Sequence, residues 1–461
     1  MSHSYVPRTC SAGKPTISST CKAMLAVVAG LSATGFAGNA MAAEDTSLTW
    51  NGITLYGVVD VGLAHQTHGT PTTAEFYPSA EWVISKNSNK SITSIVSNPM
   101  SQSRLGLRGL EPLNDQFSFV FNVEMGFDPT SGALADAPGS LTKNNGVALE
   151  NQRSAGDGSR AGQIFNGQAV AGFSSKDYGT VVFGRNTTVL LDNIVKYDPM
   201  NGSYALSLIG YSGVTSGMGS TENARLDDSV KYTYKYDMFR VGALYQFGNA
   251  DTSPGKAYQA NVGLDYGGFS ADAVYGHKNT AISLASLSAA QVVTLPTNSL
   301  AATISDNTSY TLDASYATGP FKVSGGYEHI KYENPSNPLA AGFAGLGGYW
   351  VGVTNNTAFP KPKVLQVYWL GAKYNFTNDF DITGAWYHYD QNAYGVVKCS
   401  NDSAANCSGA ENVYSVRLDY RFTKRFDVYA GLQNSKVSNG LASGFLNRST
   451  LATVTGLRYQ F

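Results

Sequence analysis

Sixteen strand-like segments, joined by connections that alternate between short and long, constrain this chain more than any motif in it. They lie near 47–65, 101–110, 116–127, 163–175, 179–186, 225–236, 239–247, 257–267, 268–278, 308–317, 320–332, 363–376, 379–390, 411–423, 425–437 and 450–461. Short turns fall at Glu111–Asp115, Lys176–Tyr178, Asp237–Met238, Gly267-Gly268, Thr318–Pro320, Thr377–Asn378 and Lys424. The connections between them are much longer. A two-sheet sandwich has no reason to alternate in this way. A closed membrane barrel does, with tight turns at one rim and long loops at the other.

Within the segments the side chains alternate with period 2. Residues 411–423 place Tyr414, Val416, Leu418, Tyr420 and Phe422 on one face and Ser415, Arg417, Asp419 and Arg421 on the other. No window after residue 44 is apolar for as long as a membrane helix requires. Charged residues make up only 14% of the chain while tyrosine alone numbers 28, well below the usual charged share of about 25% in soluble domains. A wall with one lipid face and one wet face averages to such a composition. Strands in lipid must pair every backbone group, so the sheet has to close. Tyr232, Tyr234, Tyr236, Tyr266, Tyr316 and Tyr374, near strand ends, are expected in interfacial aromatic girdles.

Residues 1–43 read as a secretory signal. Arg8, Lys14 and Lys22 stand without a single acid, Met24 to Phe36 is small and apolar, and Ala40-Met41-Ala42 fits a cleavage site. The basic region is long, so the effective start is expected nearer Met24. Residues 44–461 form the barrel domain. Cys10 and Cys21 leave with the signal. Cys399 and Cys407 remain, close together in a Ser/Asn/Ala-rich stretch of an exported chain, and read as a local disulfide in the seventh long loop. No basic tract exceeds a pair, so nucleic acid is not an expected partner.

Gly179 to Pro199 starts as a strand and then runs into a mixed segment with Asp192 and Asp198. The next strand pattern begins only at Arg225, roughly 40 residues on, and connections of that length are usually functional or disordered. This connection is expected to fold inward. The chain ends in mid-strand: Leu451, Thr453, Thr455, Leu457, Tyr459 and Phe461 point one way, and Val454, Gly456, Arg458 and Gln460 the other.

Three motifs carry a resemblance: Leu55-Tyr56-Gly57-Val58-Val59-Asp60, Ser103-Arg104-Leu105-Gly106-Leu107-Arg108-Gly109, and Gly179-Thr180-Val181-Val182-Phe183-Gly184-Arg185. Asp198-Pro199, Arg225-Leu226-Asp227-Asp228-Ser229-Val230-Lys231-Tyr232 and the terminal Gly456-Leu457-Arg458-Tyr459-Gln460-Phe461 extend it. Together and in this order they resemble the general trimeric outer-membrane porins of Gram-negative bacteria, β-proteobacterial type. The resemblance implies an all-β, 16-stranded antiparallel barrel with its third outer loop in the lumen. It also implies a homotrimer in outer-membrane lipid and lipopolysaccharide, delivered by the barrel-insertion machinery, passing ions and small hydrophilic solutes without a cofactor. Carried over, the constriction has Arg104, Arg185 and Arg225, with Arg108 nearby, facing Asp192 or Asp198 on the loop and Glu124 on the wall. Tyr459 and Phe461 correspond to the terminal assembly signal. The chain departs from the family at Val58, where a basic residue is often found nearby, and at Gly167-Gln168-Ala169-Val170, which lacks an arginine. The connections at 279–307 and 333–362 look long.

Face parity independently turns Arg104 and Arg108 inward, away from Leu105 and Leu107. It turns Arg225, Asp227 and Lys231 away from Val230, Tyr232 and Tyr234. A cation at the lipid midplane costs about 2–4 kcal/mol, which favours the lumen. Arg185 is less clear, because it shares parity with Val181 and Phe183. An enzyme is not expected. His65 and His68 have no ligand frame, His277, His329 and His388 are scattered over separate strands, and no nucleophile or phosphate-loop motif occurs. The reading is therefore a passive channel with weak anion preference. The alternatives are a solute-selective channel and a surface receptor or adhesin acting through its loops.

Overall fold

The computed structural model describes residues 48–69, 90–153, 160–209, 224–248, 254–395 and 405–461; the expected signal, 1–43, lies outside them. Sixteen strands make one closed antiparallel wall. Each pairs with its neighbours in chain order. The last strand, Ser449–Gln460, pairs back onto the first, Ile53–Gln66, from Val58↔Gln460 to Gln66↔Ala452. Phe461 continues the ladder: its amide donates to the Gly57 carbonyl at 3.1 Å, and Gly57 returns the bond at 3.0 Å. Among the described residues every strand of the wall has a neighbour on both sides, as a sheet in lipid requires.

Alternation sets the two faces. In Gly409–Arg421, Tyr414, Val416, Leu418 and Tyr420 are exposed on the outside, whereas Ser415, Arg417 and Asp419 are buried within. Rings crowd the outer surface beside the short turns. Tyr236, Tyr266 and Tyr316 stand exposed there with Phe239, Phe269 and Phe321, and Phe376, Phe380, Tyr420, Phe422 and Phe426 continue the row through ring contacts of 4.9–6.5 Å. Rings with one apolar and one polar end suit a membrane interface.

Several bounds differ from the sequence reading, for physical reasons. The second strand is broken. Ile92–Ser97 pairs with one half of the first strand and Arg104–Pro112 with the other. In the gap Asn98 takes φ 57°, and the buried Asp60 carboxylate accepts the amides of Met100 at 2.8 Å and Ser101 at 2.7 Å and the hydroxyl of Tyr429 at 2.5 Å. The fourth strand is Ala169–Ser175, shorter than 163–175, because Asn166 leaves the ladder to bond Gly126. The ninth and tenth strands, Phe269–Ala285 and Ser299–Thr318, run well past their expected ends, so 279–307 is largely strand. The connection 333–362 holds a hairpin, Phe343–Leu346 with Tyr349–Asn355.

Among the described residues two short α-helices sit in the connections: α1, Ala137–Lys143, and α2, Val189–Tyr197. Helix α2 begins where Thr188 caps the Leu191 amide, carries Asp192 in its first turn and Lys196 in its last, and stops before Pro199. The sequence marks it only as a mixed segment.

Candidate functional site

Residues 188–209, which follow strand Gly179–Thr187, lie inside the barrel. Every wall residue that α2 meets is on an inner face. Asn193 bonds Asp313, Lys196 bonds Asp272 at 3.1 Å, and the Tyr197 hydroxyl bonds Asp272 at 2.6 Å. Beyond the helix, Leu206, Leu208 and Ile209 pack in one cluster with Leu365, Trp369, Tyr387, Tyr389 and Val413 from the opposite wall. Pro199 seats against Gly371, where any side chain would collide with it. Ser203 Oγ and the Ala205 amide both donate to the Pro99 carbonyl, at 2.9 and 2.8 Å, in the break of the second strand. The unattached alternative is solvation in a water-filled lumen, so each buried Leu or Ile stabilises the docking by about 1.5–3 kcal/mol.

Arginines cluster on the wall from the second to the sixth strand. Arg104 Nε lies 3.2 Å from Glu124 Oε2, and the Arg104 side chain stays 34% exposed. Tyr56 donates to Asn122 Oδ1 at 2.8 Å and lies against Gly106, where a Cβ would overlap its ring. The Arg108 guanidinium sits 5.6 Å from the centre of that ring.

Arg185 reaches the inner face through a bulge. Gly184 pairs with Ser229, but Asn186 pairs with Leu226, so Asp227 and Asp228 stand opposite Arg185 alone. Gly184 at φ 123° and Asp228 at φ 50° absorb the mismatch. Strict alternation would have sent Arg185 out with Phe183, which is exposed on the lipid side. Instead Arg185 Nη1 pairs with Asp227 Oδ1 at 2.5 Å, and Nη2 donates to the Asn166 carbonyl at 3.0 Å. Arg160, buried beside it, donates to Asn166 Oδ1 at 2.5 Å. Arg225 begins the next strand, in register with Thr187, and both Arg160 and Arg225 are near enough to repel Arg185. Arg160 comes from the irregular connection 127–168, where no periodicity could have marked it.

The loop acids are placed differently from the sequence expectation. Asp192 pairs with Lys231, whose Nζ also donates to the Thr187 carbonyl at 3.0 Å. It therefore leans on the strands that carry Arg185 and Arg225 rather than facing them from across the lumen, and half of its side chain is exposed. Asp198 is corrected more strongly, since it is buried and does not front open space. It accepts the Tyr387 hydroxyl at 2.6 Å and the amides of Gly202 at 2.6 Å and Met200 at 3.1 Å. Burial pushes its carboxyl above the usual range, while Tyr387 and the amides pull it back down. Asp198 fastens the loop. Tyr387 carries no sequence signal, and Asp60, although it ends one of the resembling motifs, has nothing local that links it to its partners.

His65 bonds Thr93 at 2.8 Å and His68 bonds the Ser449 carbonyl at 2.9 Å. Cys407 is disulfide-bonded; Cys399 lies outside the described residues. Tyr459 and Phe461 stack at 6.0 Å beside the closing seam.

A profile of the Gram-negative porin family matches residues 25–440. An outer membrane porin protein of Bordetella pertussis is 27% identical over 218 residues, 47% of this chain and 46% of that protein. The alignment thus spans about half of that relative. One from Delftia acidovorans is 25% identical over 64% of this chain and 68% of its own length. Among solved structures, an anion-selective porin from Comamonas acidovorans superposes with TM-score 0.58 at 18% identity, covering 89% of this chain and 99% of that one. The trimer form of an outer membrane protein of Vibrio cholerae gives 0.55 at 15% identity, covering 89% of this chain and 99% of that one.

Proposed function

We propose that this chain, which belongs to the Gram-negative porin family, forms a water-filled channel in the outer membrane for passive diffusion of ions and small hydrophilic solutes, with a weak to moderate preference for anions. The observation that carries the preference is the run of Arg104, Arg160, Arg185 and Arg225 along one stretch of inner wall, against Glu124 and Asp227. Exposed charged side chains mark where water reaches inside. Arg104 is one-third exposed and Asp227 about two-fifths, while Leu206, Leu208 and Ile209 of the docked loop cover part of the opposite wall. Charges in a narrow, low-dielectric passage act more strongly than on an open surface. Arginine stays cationic at any working pH.

In this reading the inward connection narrows the passage, with Arg104, Arg185 and Arg225 as its basic side, Arg108 below and Asp192 as the loop acid. The working unit is a homotrimer in lipid and lipopolysaccharide. Residues 1–43 are removed on export, Cys407 pairs with Cys399, and Tyr459 with Phe461 is read by the insertion machinery. The protein is a channel and not an enzyme. Planar-bilayer recording of the purified protein tests this. Stepwise ohmic conductance with a reversal potential favouring anions is expected. Absence of conductance, or flux that saturates for one solute only, would overturn it.

A further inference from the structure

Part of the connection 127–168 leaves the strands that carry it, although Ala135, Asn166 and Gly167 stay against the third strand. Its ends belong to the third strand, Phe117–Gly126, and the fourth, Ala169–Ser175. Its helix α1 is instead held by the connections that follow the ninth strand and the eleventh, Phe321–Glu333. Going round the wall from the fourth strand to the ninth means passing the fifth to the eighth, and the other way round is longer. The contact is therefore a chord over the rim at the long-loop end, not a step between neighbours.

The attachment is built from polar and apolar parts. Asp136 caps α1 at the Gly139 amide, 3.0 Å, and its other oxygen accepts the Tyr349 hydroxyl at 2.6 Å. Asn145 donates to the Ser299 carbonyl at 2.7 Å and accepts the Leu287 amide at 2.7 Å. Ser286 Oγ donates to the Leu141 carbonyl at 2.8 Å. Leu141 itself is buried with Leu284, Leu300, Ile304 and Val351, an apolar cluster separate from the one around α2. The far support is shaped to meet it. The ninth and tenth strands rise beyond the wall and bend at a register shift between Lys278 and Ala281, where Thr280 takes φ 50°. Strand Tyr349–Asn355 adds to Ser299–Thr303 in parallel and stiffens it.

We propose that residues 127–153 of this connection are a strap, latched across the outer mouth by the chain's own loops, and that it sets the upper size of solute reaching the arginine wall. The proposal rests on the channel reading above. The strap restricts bulk rather than charge, so size and ion selectivity are controlled by different parts of the chain. The class of solute it separates is uncharged and hydrophilic, graded by length.

Liposome swelling with a series of uncharged sugars, from mono- to tetrasaccharide, tests it. The wild type is compared with a Leu141→Asp/Asn145→Ala variant and with Tyr349→Phe. The double variant is expected to raise tetrasaccharide flux several-fold relative to monosaccharide, with the reversal potential in a salt gradient unchanged. Tyr349→Phe is expected to move the ratio the same way by less. An unchanged ratio in a double variant that retains the heat-modifiable mobility of a folded barrel would overturn the strap. Failure of the wild type to pass even the monosaccharide would overturn the channel reading itself, before any loop is altered.

Discussion

Tyr387 donates its hydroxyl to Asp198 at 2.6 Å, joining wall strand Phe380–Gln391 to the residue that ends α2. Both groups are buried. The bond makes an inward-folded connection part of the wall, and it gives the Asp-Pro pair a purpose beyond a turn. Removing one partner strands the other in a place with little water.

Tyr387→Phe is expected to loosen the loop. A hydrogen bond to a charged group contributes about 1.5–3 kcal/mol, and the cost of leaving Asp198 without its hydroxyl is of that order. Open-channel current noise should rise and the loop should become sensitive to protease, while the barrel stays folded. Quiet currents and a resistant loop would show that the apolar docking alone suffices.

The two loop acids should behave differently when neutralised. Asp192→Asn frees Lys231 beside the arginines, so the reversal potential should move toward anions. Asp198→Asn removes a buried fastening, so noise should change more than the reversal potential. Equal shifts in both variants, measured at low salt where screening is weak, would mean that Asp198 fronts the lumen after all.

Deleting Phe461 should lower the amount of protein reaching the outer membrane more than it lowers the stability of barrels that do assemble. The backbone exchange with Gly57 is the last of a long ladder, so its loss is small in the finished wall. Normal surface levels in cells would contradict this.

The proposed bridge from Cys407 to Cys399 would close a short loop. By chain entropy it would order that loop by about 2–3 kcal/mol and add little to the barrel. Cys399→Ser should leave the unfolding transition almost unmoved and leave Cys407 alkylatable without reductant. Alkylation of both thiols in the unreduced wild type would rule the bridge out.

How much of the molecule is legible in the sequence depends on how far each signal reaches. Strand Gly409–Arg421 lies at its expected place with its expected faces, because period-2 alternation is local and runs there without a break. Arg104 likewise points inward beside Leu105 and Leu107, which are exposed outside. Arg185 cannot be assigned by alternation, because the bulge at Gly184 reverses parity within one residue. The break in the second strand depends on Asp60 and Tyr429, far away in sequence, and leaves no mark on the segment itself. Asp198 owes its position to a contact across the barrel and Arg160 to contacts within its own irregular connection, and alternation has nothing to say about either.

The most direct test of the arginine wall is the reversal potential of single channels in a low-salt gradient, wild type against Arg185→Ser. The wild type should favour anions. Arg185→Ser leaves Asp227 without its partner, so the potential should move toward cations and the conductance should rise slightly. A wild type that prefers cations, or an Arg185→Ser channel identical to it in both readings, would contradict the placement of selectivity on this wall.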